Sequence, residues 1–233
     1  LSDTPQSRSN TNDIFRDLPP HERARVEQGI TDTTYPAGHL FHTPGELCPH
    51  LFVLRAGRVQ VYKLSSEGRV LRLAVLIPPT VFGEVALSEQ QENNSFAEAI
   101  TECVVGHIPH DMLERILLDY PQVTLRLMEL MGQRLHEMEN KLVDIAFKSV
   151  PQRLATVLLT LAGVPPAGNR PPTASSPTIV RYTHQQLAEM IGSYRETVTK
   201  IIGEFREAGL IRVQGDSIYL TNLGRLQQLA SEE

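Results

Sequence analysis

The 233-residue chain has no tryptophan, only two cysteines and few aromatic side chains, 6% in all. Two thiols, Cys48 and Cys103, cannot build a disulfide framework, which implies a reducing compartment. They also fall short of the four thiolates that hold a [4Fe–4S] cluster. No apolar run approaches the roughly 20 residues of a bilayer-spanning helix, so no membrane partner is expected. The opening stretch LSDTPQSRSNTN lacks the apolar core of a signal peptide and reads as a disordered leader over residues 1–12. The expected location is the cytoplasm. Missing too are a phosphate-cradling glycine loop, a dinucleotide fingerprint and any recognisable nucleophile–base set, which argues against an enzyme. No cofactor is expected.

The charge balance is also modest, a net −5, but it is unevenly spread. From Ser149 onward there are eight Lys/Arg against seven Asp/Glu; before it there are fourteen against twenty. The basic excess therefore lies, weakly, on the C-terminal third, a distribution that fits contact with nucleic acid there.

Three textures follow one another along the chain. Residues 13–30 look like a short helical lead-in anchored by Ile14, Phe15, Leu18 and Val26. From Thr34 to about Ile108, short apolar segments (HLFH, LFVL, RVQVYKL, RVLRLAVLI, VVGHI) alternate with breaks at Gly38, Gly45, Gly57, Gly68 and Gly83. That spacing predicts an antiparallel all-β sandwich or roll, with a hairpin turn at Ser66-Glu67-Gly68. A long helix is then predicted from Pro121 to Phe147. Its apolar residues Met128, Met131, Leu135, Met138, Leu142 and Ile145 fall at heptad a/d spacing, the seam by which two helices pair. The alternative is an amphipathic helix lying on its own β-unit. The narrowness of the stripe favours a parallel homodimer.

The C-terminal third is marked by helix starts. Ser149…Gln152, Thr183…Gln186 and Ser193…Glu196 each have the form of a capping box, in which side chains at both ends satisfy orphan backbone N–H groups. Pro151 suits a first helical turn, and that helix runs to Gly163. The segment VPPAGNRPPTASSP after it reads as a surface loop. Two boxes ten residues apart leave room for one short helix ending near Gly192, so Thr183–Ile211 is a helix-turn-helix. Gly209 ends its second helix, IRVQGDSIYL turns at Gly215-Asp216 as a wing, and Thr221 or Asn222 caps a final helix.

The second helix of the pair should turn Val198, Ile201, Ile202 and Phe205 inward. That leaves Arg195, Glu196, Thr199 and Lys200 to read base edges in a major groove: Arg and Lys donate to guanine, and Glu accepts from cytosine. Gln185, Ser193 and Thr197 are placed to hold phosphates. The expected partner is double-stranded DNA.

Over nearly its whole length the chain resembles the CRP/FNR family of bacterial transcription regulators. YPAGHLFHTPGE, LFVLRAGRVQVY and FGEVAL resemble its β-roll motifs, QRLHEMENKLVDIAF its dimer helix, and IGSYRETVTKII its recognition segment. The resemblance implies an α+β chain: a cyclic-nucleotide-binding-like β-roll sensor over 13–120, a dimerisation helix over 121–148 and a winged helix-turn-helix over 149–233. It also implies a homodimer that reads a palindrome with TGTGA-like halves, more often an activator with RNA polymerase as partner; a repressor is the alternative within the family. The loop Gly163–Pro177 falls where the family places its activating loop. Lys200 stands where Arg is more usual and gives up bidentate geometry.

The effector site is where this chain departs from the family's cAMP-binding pattern. Phe82-Gly83-Glu84 matches the ribose-binding turn, but Asn94-Ser95 stands at the phosphate-binding Arg-Ser position, and Met138-Glu139 replaces the adenine-contacting Thr-Ser. Losing the guanidinium removes a charge-assisted pair to a buried phosphate, so cAMP is not the expected effector and regulation without one is open. A winged unit that binds protein, in a cyclic-nucleotide-responsive interaction protein, is the rival reading. His39, His42, Cys48 and His50 lie within twelve residues, but strand alternation would point His39 and His42 to opposite faces, so no metal site is expected. A redox role for Cys48 or Cys103 has no pKa-lowering neighbour in the sequence.

Overall fold

The computed structural model describes residues 12–47, 49–83, 92–164, 178–180 (backbone only) and 182–231. The expected leader (1–12, apart from residue 12), Cys48, Glu84 and the loop 165–177 lie outside them. The chain divides into two compact units: Leu1–Lys63 with Leu73–Glu137, and Leu64–Arg72 with Met138–Glu233.

The first unit opens with helix α1 (Pro20–Glu27) and continues with strands β1 (Thr31–Tyr35), β2 (Leu40–His42), β3 (His50–Ala56), β4 (Val59–Leu64), β5 (Val70–Leu76), β6 (Thr80–Phe82), β7 (Phe96–Ala99) and β8 (Cys103–Pro109). They form two four-stranded sheets, ordered β1-β8-β3-β6 and β2-β7-β4-β5. Strand β3 explains why LFVL is continuously apolar: it is buried on both faces. Phe52 and Leu54 join Val59, Leu76, Phe82, Ala97, Ala99, Cys103 and Val105 in a core drawn from both sheets. Leu51 and Val53, on the opposite face, pack with Ile14, Phe15, Leu18 and Val26 of the lead-in. Helix α2 (His110–Asp119) adds Leu113 and Ile116 to that second core.

Helix α3 (Pro121–Phe147) carries two apolar stripes. Val123, Leu127 and Leu130 are buried in the lead-in core. Met128, Leu135, Met138, Leu142 and Ile145 stay on the surface, between 42% and 68% exposed. Met131 departs from the predicted seam, packing partly buried against the lead-in core. The seam is thus distinct from the stripe that faces the β-unit.

The second unit contains α4 (Val150–Leu161), β9 (Thr178–Val180), α5 (His184–Ile191), α6 (Arg195–Glu207), β10 (Ile211–Gln214), β11 (Ser217–Leu220) and α7 (Leu223–Ser231). Leu154, Leu158, Leu187, Ile191, Val198, Ile202, Phe205, Leu220 and Leu226 belong to its single core. The wing is three-stranded, β10-β11-β9, so a strand follows directly on the predicted loop, where the sequence assigned no element. Asn222, rather than Thr221, caps α7: its Oδ1 accepts from the Arg225 N–H at 3.1 Å.

Two imidazoles in the β-unit couple its stability to pH. His42 is buried, its Nδ1 hydrogen-bonded with the Ser95 carbonyl at 3.0 Å, and burial lowers its pKa below 6.5. His107, hydrogen-bonded with Tyr35 Oη at 2.9 Å, is lowered by burial and by the nearby His50. A histidine depressed in the folded state binds its proton more readily when unfolded, so folding weakens as pH falls below 6.5. The unfolding midpoint in urea should therefore drop from pH 7 towards pH 5, and less steeply in His42→Gln/His107→Gln; equal slopes for both proteins would refute the assignment.

Candidate nucleic-acid interface and effector pocket

The helix pair is built from local signals. Thr183 is the N-cap of α5: its hydroxyl accepts from the Gln186 N–H at 3.1 Å, and the Gln186 side chain accepts from the Thr183 N–H at 2.9 Å. Such a cap contributes roughly 1 kcal/mol. At the other end Gly192 adopts φ +64, the left-handed conformation that lets a helix stop and the chain reverse. The Ser193 N–H then closes back onto the Ala188 carbonyl at 2.9 Å. Gln152 likewise accepts from the Ser149 N–H, at 2.6 Å. The third expected box does not form: the N-cap of α6 is Tyr194, with no side-chain cap. The helix therefore starts one residue later than Ser193…Glu196 implied.

Burial sets the orientation of α6. Val198, Ile201, Ile202 and Phe205 are each at most 5% exposed, and hiding each contributes roughly 1.5–3 kcal/mol. That fixes the helix about its axis and leaves Arg195, Glu196, Thr199 and Lys200 exposed on the other side. Lys200 Nζ lies 3.7 Å from Glu204 on the same exposed face, a weak i,i+4 pair. Thr199 is more constrained than expected. Its hydroxyl donates to the Arg195 carbonyl at 2.9 Å and pairs with His184 Nδ1 at 2.8 Å, so it ties α6 to the first turn of α5. Gln185 is exposed, Ser193 and Thr197 half-buried; the Gln185 amide donates to Glu189 at 3.0 Å. All seven residues thus lie on α5, the turn or the first turns of α6.

The residues expected at an effector site divide between the two units. Gly83 sits at φ +82, and a Cβ there would fall 2.9 Å from both the His50 carbonyl and the Phe52 ring. Packing alone therefore requires glycine at that position. Asn94 is exposed, and Ser95 uses its carbonyl on His42. Met138 and Glu139 are both exposed, in the second unit. Glu84 is outside the described residues. A residue that the sequence did not single out stands next to the turn: Arg134 donates to Thr80 Oγ1 at 3.0 Å and to the Val81 carbonyl at 2.5 Å. Burial lowers its pKa to about 10. Its position on α3 gave no signal, because only the fold brings it to Val81.

The histidines singled out in the sequence have structural occupations. His39 stacks on Tyr35 at 4.2 Å between ring centroids, and His42 serves the Ser95 carbonyl. Cys103 is fully buried, its thiol directed at the Arg58 and Thr101 carbonyls, which suits packing rather than reactivity. Among the described residues no helix is long and apolar enough to cross a membrane.

Comparison with known proteins matches two family models to the chain: a cyclic nucleotide-binding domain over residues 32–120 and a Crp-like helix-turn-helix domain over residues 152–229. A CRP-like cAMP-activated global transcriptional regulator of Mycobacterium tuberculosis is 29% identical over 224 residues, 93% of this chain and 96% of that protein. Transcriptional regulator SdrP of Thermus thermophilus is 32% identical over 199 residues, 84% of this chain and 93% of that protein. The crystal structure of a CRP/FNR-family transcriptional regulator from Thermus thermophilus superposes with a TM-score of 0.68 at 30% identity, covering 87% of this chain and 99% of that one.

Proposed function

The chain belongs to the CRP/FNR family of transcription regulators, and on that premise we propose that it is a cytoplasmic homodimer that reads a DNA palindrome with TGTGA-like halves and activates transcription. One observation carries the reading. The helix pair buries Val198, Ile201, Ile202 and Phe205 of α6 and presents Arg195, Glu196 and Lys200 on its other side, beside a wing. A winged unit that only bound protein would need no such cluster of base-reading side chains at the start of its second helix.

Within this reading Arg195 donates to guanine, Glu196 accepts from cytosine, and Lys200 adds a point charge at the outer position. Gln185, Ser193 and Thr197 hold the backbone. Thr199 acts indirectly, through its bond to His184. Two copies pair along Met128, Leu135, Met138, Leu142 and Ile145, whose exposure is otherwise costly for a helix already buried on another face. RNA polymerase is the further partner.

Regulation is proposed to work without cAMP. Where the resemblance places the phosphate-binding arginine, this chain has an exposed Asn94, and Arg134 is already engaged with two protein oxygens. A buried cyclic phosphate would gain little to offset its desolvation.

Three outcomes follow. Fluorescence anisotropy with a TGTGA palindrome should show salt-dependent binding, weakened by roughly 1–3 kcal/mol in Arg195→Ala and in Glu196→Ala; salt-insensitive binding would point to the protein-binding rival. Leu135→Glu combined with Leu142→Glu, both on the open stripe, should sediment as a folded monomer, and an unchanged dimer would move the interface elsewhere. Addition of cAMP should leave the melting temperature where it is; a saturable rise would show that the pocket accepts it.

A further inference from the structure

The second unit includes one short segment that is remote in sequence from the rest of it: Leu64–Arg72, the turn between β4 and β5. The turn itself is tightly made. The Ser65 N–H donates to the Arg69 carbonyl at 2.9 Å, the Gly68 N–H to the Ser65 carbonyl at 2.9 Å, and the Arg69 N–H to Ser65 Oγ at 3.0 Å. Such a rigid tip can press on a neighbour without collapsing.

Its contacts converge on the turn between α5 and α6. Tyr194 Oη donates to Glu67 Oε2 at 3.1 Å, and the Arg69 guanidinium lies 5.1 Å over the Tyr194 ring. Leu71 packs so near Gly192 that a Cβ there would come within 3.2 Å of it. Arg72 pairs with Glu189 of α5 at 2.5 Å, both side chains largely buried at 10% and 15% exposure. Lys141 of α3 donates to the Arg72 carbonyl.

The two ends of this contact differ in physical character. The Arg72–Glu189 pair is shielded from water, and breaking it on one side would strand a buried charge; it acts as an anchor. The Glu67–Tyr194–Arg69 contact is exposed and individually weak; it is the part that can open. Tyr194 is the N-cap of α6, so its bond to Glu67 ties the tip to the side chain that leads into the very helix whose N-terminus a DNA phosphate would seek.

We propose that the β4–β5 tip is an intramolecular clamp that competes with DNA for the start of the recognition helix. Closed, it holds Tyr194 and presents the charge of Glu67 where DNA must approach; the tip must lift from Tyr194 for the duplex to seat. The protein's apparent affinity for DNA is then its intrinsic affinity reduced by the fraction of molecules in the closed form. This inference rests on α6 being the DNA-reading helix.

Two measurements on the full chain test it, using a TGTGA palindrome as probe. In a double-mutant cycle, Glu67→Gln and Tyr194→Phe should each tighten DNA binding by roughly fivefold or more. The double variant should gain no more than the better single one, because both break the same contact. In electron-spin distance measurements between labels on Ser66→Cys and Glu207→Cys, in a Cys48→Ser background, DNA should lengthen the distance within each protomer as the tip lifts. Glu67 acting merely by repulsion would give a gain for Glu67→Gln alone and none for Tyr194→Phe. That result, or a tip that keeps its distance from α6 on DNA binding while the duplex binds well, overturns the clamp and leaves the DNA reading intact. Absence of binding to any duplex by the wild type overturns both.

Discussion

What the helix-turn-helix presents to solvent depends on the burial of one side of α6. Val198, Ile201, Ile202 and Phe205 join Leu187, Ile191, Leu154 and Leu158 in one core, and a helix held by four such anchors cannot rotate without exposing them to water. Its free side is therefore a fixed consequence of its buried side. Arg195, Glu196 and Lys200 stand outward because Val198, Ile201, Ile202 and Phe205 are committed inward. The left-handed Gly192 and the Thr183–Gln186 box set where the two helices begin and end. The three-stranded wing flanks them through the register of β10 and β11, from Ile211 opposite Leu220 to Gln214 opposite Ser217.

Much of this was legible in the sequence because the determining interactions are local. A capping box spans four residues, an αL glycine one, and a heptad stripe repeats within a few turns. The helix-turn-helix, the wing, the long helix and the β-unit all follow from such signals. The exceptions are equally physical. Strand β9 is three residues after a Pro- and Ser-rich stretch, and it exists through pairing with β11. The N-cap of α6 is Tyr194, although Ser193 and Glu196 had the right spacing for a box. Met131 fits the heptad but is drawn towards the lead-in core, which no periodicity reports. Thr199, expected among the base readers, also bonds His184, fifteen residues away. The partnership of Tyr194 with Glu67 spans 127 residues and is beyond any local pattern.

Gly83 shows how packing alone can demand a residue of a family motif. Gly83 is demanded by the His50 carbonyl and the Phe52 ring whatever binds nearby, so its presence says little about ligand. The departures at Asn94, Met138 and Glu139 carry the information instead. Together with Arg134, turned to Thr80 and Val81, they support the proposal that the chain is regulated without cAMP. The proposed clamp supplies another place at which DNA binding can be adjusted: an exposed contact beside a buried anchor can change state without unfolding its surroundings.

The central claim is that two copies of α6 read one duplex from one side. Hydroxyl-radical footprinting of the wild-type protein on a TGTGA palindrome tests it most directly. The account predicts two protected patches centred about one helical turn apart, roughly 10 base pairs, with equal protection of both half-sites. A single patch, or protection that does not follow the half-sites when their sequence is scrambled, would contradict it.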